Sequence, residues 1–120
     1  MNKKIFLVDL IRLQQKKFFI KWIDELKDEV IIFIDIKNTI RVFSSICPHF
    51  GGEIYYDKHI DNLRCSWHDW KFCKKTGKCL SYPIKGQLAH YNFEVNPNKL
   101  KNYDFTINNE KIYLSLITNG

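Results

Sequence analysis

The chain is short of the residues that build loops, fibres and membrane spans. Among 120 residues there are 3 Pro, 5 Gly and 1 Met. So little Pro and Gly excludes a linker-like or fibrous chain. No apolar run approaches the roughly 18 residues that a membrane-spanning helix needs. Acidic residues are the minority charge: 19 Lys+Arg against 13 Asp+Glu give 19 − 13 = +6 as the formal net charge. Disorder is excluded by the 45% apolar and 15% aromatic content. The length suits a single domain over 1–120 and leaves no room for a large catalytic domain beside a small one. Met1-Asn2-Lys3-Lys4 followed by Ile5–Val8 begins like a signal peptide, but Asp9 and Arg12 interrupt the apolar stretch. No small-residue cleavage site follows, so a mature N-terminus and a cytoplasmic, reducing setting are expected. Four cysteines in such a setting point to metal or catalysis rather than to disulfides.

Periodicity favours β-structure throughout. Val30–Ile36 is a nearly unbroken apolar run of strand length, Lys37-Asn38 a turn, and Ile40–Ile46 an alternating strand beside it. Near the C-terminus Phe105 and Ile107 alternate with polar residues. Asn108-Asn109 reads as a turn, because Asn tolerates positive φ, and Ile112, Leu114 and Leu116 complete a second hairpin. Phe18–Ile23 reads as another strand and Asp24–Asp28 as a helical turn. Residues 1–17 read as a strand plus turn or a short helix, and 85–102, with Gly86, Pro97 and several Asn, as a long loop. The middle, 47–83, holds every cysteine and few β-branched residues, so it reads as loops organised around something other than a core.

That something is legible in two short arms. Cys47-Pro48-His49 is one and Cys65-Ser66-Trp67-His68 the other, with fifteen residues between His49 and Cys65. Each arm offers a soft thiolate and an imidazole, so two loops can converge on one metal centre. A structural zinc site is the competing reading of such a quartet. The C-x-H spacing is tighter than a zinc arm usually shows, and zinc gives no reason for the Gly and Trp residues around it.

The segments Cys47-Pro48-His49-Phe50-Gly51-Gly52, Cys65-Ser66-Trp67-His68-Asp69-Trp70-Lys71-Phe72 and Thr76-Gly77 resemble the Rieske ferredoxins and the Rieske domains of ring-hydroxylating oxygenases. The resemblance implies an all-β Rieske fold, an antiparallel β-sandwich framework with a loop-rich cluster-binding subdomain at about 47–83. Residues 85–102 then look like an insertion and 1–17 like an extension. It implies a 2Fe–2S cluster with Cys47 and Cys65 on the inner iron and His49 and His68 on the outer, solvent-near iron. Gly51 and Gly52 would let amides approach the sulfurs, and Trp67, Trp70, Phe72 and Tyr82 would wall the cluster from water.

The quinol-oxidising branch of that family carries a bracing disulfide and two hydroxyl donors near the cluster. Here those positions are Gly52, Trp67, Trp70 and Phe72, so a low potential is expected. The implied function is a one-electron carrier between a flavin-dependent reductase and a terminal oxygenase or similar acceptor. A small subunit fixed in a larger oxidoreductase complex is the alternative. No mononuclear iron site is expected, because only His59 and His90 are spare, and both read as surface or loop residues. The chain is expected to be a monomer, with neither a nucleic-acid nor a membrane partner. Lys71, Lys74, Lys75 and Lys78 lie close to His68 in sequence and suggest a docking rim for an acidic partner surface. Cys73 and Cys79 flank the Thr76-Gly77 turn and read either as buried thiols or as a pair facing each other across a hairpin.

Overall fold

In the computed structural model, residues 2–47, 52–66, 71–81 and 100–117 are described. The elements in order are β1 (Asn2–Asp9), α1 (Leu10–Lys16), β2 (Phe18–Ile23), β3 (Asp28–Ile34), β4 (Ile40–Ser44), β5 (Ile54–Asp57), β6 (Asn62–Cys65), β7 (Lys71–Phe72), β8 (Cys79–Ser81), β9 (Asn102–Tyr103), β10 (Phe105–Asn108) and β11 (Lys111–Ile117). They form three antiparallel sheets with strand orders β1-β11-β10, β2-β3-β4-β9 and β5-β6-β7-β8.

The second sheet contributes to two cores, and β3 shows why. Val30, Ile32 and Ile34 point to one side and pack with Leu7, Leu13, Val42, Ile112 and Leu114. Ile31 and Phe33 point to the other and pack with Phe43, Ile54, Leu63 and Phe72. Successive strand residues face opposite ways, so a strand buried on both faces needs an unbroken apolar run. Residues 30–34 are such a run, and all five are at most 2% exposed.

Local chemistry sets the boundaries. β3 ends at Ile34 rather than Ile36, because Asp35 turns the chain: its carboxylate accepts the Lys37 and Thr39 amides at 2.9 and 3.0 Å. Ile36 is left 67% exposed. Residues 24–27 form the β2–β3 hairpin turn, and its bonds have the i+3→i spacing of a helical turn. The Leu26 and Lys27 amides bond the carbonyls of Ile23 and Asp24, and Lys27 takes φ 51°. The C-terminal turn is Asn109-Glu110, both at positive φ (52° and 63°), one residue later than the pattern suggested. Residues 1–17 hold both options at once, a strand and then a two-turn helix that seats Leu13 in the first core.

The larger correction concerns 47–83. The described residues there carry the four strands β5–β8 and a core of their own, Ile54, Tyr56, Leu63 and Phe72, against the second sheet. The expected insertion 85–102 lies outside the described residues except for its end. There Leu100 is buried in the second core and Asn102 opens β9. The Leu100 amide bonds the Gly77 carbonyl at 2.8 Å, and the Tyr103 hydroxyl donates to Asp28 at 2.6 Å. The first bond ties the returning chain to the β7–β8 turn, and the second ties it to β3 of the second sheet.

Candidate metal centre

Two arms leave opposite sides of one short segment, Gly52–Ile54. On one side, β4 is prolonged by the bridge between Ile46 and Glu53, and the Cys47 amide donates to the Gly52 carbonyl at 2.7 Å. The 47–52 loop is therefore closed at its base. On the other side, β6 ends at Cys65 directly opposite Ile54, and the Ser66 amide donates to the Glu53 carbonyl at 2.8 Å. Cys47 and Cys65 thus stand at matching places in two hydrogen-bonded frames that share their middle strand. Both belong to the second core, at 2% and 1% exposure.

That donor set fits a 2Fe–2S cluster. Thiolates are the ligands such clusters take, and a dry apolar surround keeps solvent from the sulfurs. Phe72, fully buried, is part of that surround and has no donor to offer a sulfur. His49 and His68, together with Gly51, Trp67, Trp70 and Tyr82, lie outside the described residues. Gly52 is buried at the base of the first arm. Cys47 and Cys65 are the two members of the expected quartet that lie among the described residues.

Other expectations resolve differently. Cys73 and Cys79 are not joined to each other. The register places Cys79 opposite Phe72, where it packs on the second core, while the Cys73 amide bonds Lys78. The two thiols therefore do not face each other. His59 is an exposed turn residue, as expected, and His90 lies outside the described residues. The Thr76-Gly77 turn is present, with Gly77 at φ +79°. A Cβ at Gly77 would lie 2.8 Å from the Leu100 carbonyl, so this turn requires glycine.

The lysine rim needs correction. Lys75 and Lys78 are exposed, but Lys74 is 9% exposed and points inward. Its ammonium lies 3.2 Å from Asp35 and also contacts Asp61. Asp35 is paired as well with Arg41 at 2.7 Å, and Asp61 accepts the Tyr56 hydroxyl at 2.6 Å. Burial opposes the charge of both aspartates. For Asp35 the Thr39 amide, Arg41 and Lys74 outweigh it, and for Asp61 Lys74 and Tyr56 do, so both carboxyls titrate below the ordinary range. Burial likewise opposes the charge on Lys74, and its two carboxylate partners more than restore it. The network ties the β3–β4 turn, the β5–β6 turn and the β7–β8 turn together, and so locks the cluster-bearing sheet onto the second sheet. Sequence reasoning missed it. The one available signal was Asp35, an acid placed directly after five buried apolar residues.

A carboxyl pair also escaped notice. Burial, then the charge of Glu29 and a hydrogen bond with it, raise the Glu53 carboxyl. Glu29 in turn accepts the Ser45 hydroxyl at 3.0 Å.

Comparison with known proteins agrees with the fold. Residues 9–92 match the family described as Rieske [2Fe-2S] domain. The cytochrome b6-f complex iron-sulfur subunit of Chlorobaculum tepidum is 25% identical over 76 residues, covering 63% of this chain and 41% of that protein. The chain spans less than half the length of the curated relatives it matches. The solved ferredoxin of carbazole 1,9a-dioxygenase from Nocardioides aromaticivorans IC177 superposes with a TM-score of 0.69 at 16% identity, over 93% of this chain and 96% of that one. The quaternary ammonium Rieske monooxygenase CntA gives 0.71 at 16% identity, over 93% of this chain and 31% of the enzyme. A family match over most of the chain, on a fold that carries two buried thiols on arms off one strand, makes the chain a member of the Rieske [2Fe-2S] domain family, with a 2Fe–2S cluster as its cofactor.

Proposed function

We propose that the chain is a one-electron carrier whose cluster is held by Cys47, His49, Cys65 and His68, passing electrons from a flavin-dependent reductase to a terminal oxygenase or similar acceptor. The observation that carries this reading is the pair of buried thiols on two arms that share the Gly52–Ile54 segment. When bound, the cluster supplies reversible one-electron chemistry. The protein's part is to fix the thiolates, exclude water through Phe72 and its neighbours, and hold the frame rigid through the Asp35–Lys74–Asp61 network.

The absence of a hydroxyl donor at Phe72 favours a potential near the low end of the range of about −150 to +300 mV. Of the four lysines, the exposed Lys75 and Lys78, with the half-buried Lys71, remain as a docking rim for an acidic partner, since like charges at a surface steer encounter. A cytoplasmic setting suits this reading, since the thiol ligands then face no competing disulfide chemistry. A second reading, a subunit of a larger redox complex, is favoured by the likeness to a complex subunit.

Protein-film voltammetry tests the proposal. A reversible one-electron wave below zero is expected; a wave in the upper half of the range would show the donor argument wrong. A zinc-loaded protein without inorganic sulfide would end the carrier reading.

A further inference from the structure

At the end of the β5–β6 ladder away from Cys65 lies a cleft of about 320 Å³, lined by Lys17, Ile34, Asp35, Ile36, Asn38, Tyr56, Lys58 and His59. That is at the small end of ligand-pocket volumes, which run from about 300 to 1,000 Å³. Ile36, 67% exposed, supplies the open apolar surface, and the buried Ile34 and Tyr56 form the floor beneath it. An isoleucine so open beside two lysines is apolar surface without a cover.

The charges around it are unbalanced. The one acid that lines the cleft, Asp35, is already engaged by Arg41 at 2.7 Å and Lys74 at 3.2 Å. Asp57, next to the rim, is taken by Arg64 at 2.9 Å and by the His59 amide. Lys17 and Lys58 have no ion-pair partner among the described residues. Two ammonium groups therefore line one apolar surface with no anion assigned to them among the described residues.

Backbone geometry fixes two of the polar groups in place. Lys17 closes α1 at φ 77°, a left-handed conformation that glycine adopts at lower cost. Its amide bonds Leu13 and its carbonyl accepts the Ile34 amide. Asn38 sits across the cleft at φ 62°. Lys17 thus projects from a turn that is hydrogen-bonded on both sides, rather than from a loose loop.

We propose that this cleft binds a small organic carboxylate with an apolar body. The carboxylate would lie between Lys17 and Lys58, and the body would cover Ile36. Inorganic phosphate would satisfy the lysines but leave the apolar surface wet. A neutral apolar molecule would cover the surface but leave the charges unpaired. The site is separate from the thiol arms and does not depend on the electron-carrier reading. It is joined to the cluster core mechanically, since the Tyr56 ring stacks on Phe33 at 5.1 Å, and Phe33 stacks on Phe43 at 6.1 Å.

The test is calorimetric and ligand-observed NMR titration of the cluster-loaded protein with three probes: benzoate, benzamide and inorganic phosphate. Saturable benzoate binding is expected, with benzamide and phosphate each weaker by about tenfold or more, the loss of one well-placed ionic or apolar contact. Lys17→Gln with Lys58→Gln should weaken benzoate by about tenfold or more while the visible spectrum and melting temperature hold. Ile36→Asp, at an exposed position, should abolish binding without unfolding the chain. Absence of saturable benzoate binding would overturn the proposal. So would equal binding of benzamide, which would mark an apolar cleft with no charge selection, or equal binding of phosphate, which would mark surface charge alone.

Discussion

Replacing Lys74 by alanine removes the cation at the centre of the network that joins the cluster-bearing sheet to the second sheet. In the intact protein its ammonium lies 3.2 Å from Asp35 and contacts Asp61, and its side chain is 11% exposed. Breaking a buried pair by removing one partner costs about 3–5 kcal/mol, because the other charge stays buried. Here each carboxylate keeps a second donor, Arg41 for Asp35 and the Tyr56 hydroxyl for Asp61. The expected loss is therefore near the lower limit, about 3 kcal/mol, or roughly 10–15 °C in melting temperature for a domain of this size. Lys74→Glu should cost more, because it adds a third carboxylate to the cluster. The exposed neighbour Lys75→Ala should stay within about 0.5 kcal/mol of wild type. Urea unfolding of the cluster-loaded protein, followed by far-ultraviolet and visible circular dichroism, measures all three. A double-mutant cycle with Asp61→Asn should return a coupling of about 1–3 kcal/mol. A Lys74→Ala protein as stable as Lys75→Ala, or a coupling near zero, would show that Lys74 is a solvated lysine and that the network does not hold the sheets together.

Gly77→Ala should cost about 2–4 kcal/mol in urea unfolding, the left-handed backbone and the 2.8 Å approach to the Leu100 carbonyl adding together; a neutral substitution would mean that the turn can move. Asp35 and Asp61 titrate below the ordinary carboxyl range, so their contribution is present above about pH 4 and is lost as pH falls. Asp61→Asn should therefore destabilise at pH 7, with the gap to wild type narrowing below about pH 4; a gap independent of pH would refute the assignment. Lys74 titrates upward, so its share should persist through neutral pH and fade only in strong alkali, above its ordinary value of about 10.4. Cys47→Ser should lose the visible absorbance yet keep the strand signal, because Ile54, Tyr56, Leu63 and Phe72 give residues 52–81 a core independent of the metal; collapse of the far-ultraviolet spectrum would show that the cluster holds the sheet.

Long, patterned segments were readable in the sequence and short ones were not. The β3 run and the alternation in β4 and β11 each span five residues or more, enough for a period to show. The cluster-bearing sheet is built from strands of two to four residues, such as Lys71–Phe72 and Asn62–Cys65, too short to carry a period. It therefore reads as loop. The thiol arms were legible because ligand spacing is a local property, and the family match contains both. Lys74 was misread because its partners are distant in sequence. Among Lys71, Lys74, Lys75 and Lys78, only the turn geometry decides which lysine points inward. Asp35 shows the same limit: an acid after an apolar run reads as a turn residue, and its role as a buried anchor depends on Arg41 and on Lys74 from another sheet.

Pulsed electron paramagnetic resonance of the reduced, ¹⁵N-histidine-labelled protein reads the proposed ligand set itself. The chain has 4 histidines, and strong nitrogen couplings are expected from two of them, one abolished by altering His49 and the other by altering His68, with the spectrum indifferent to His59 and His90. A cluster signal without histidine nitrogen coupling, or with coupling that survives loss of His49 and His68, would contradict it.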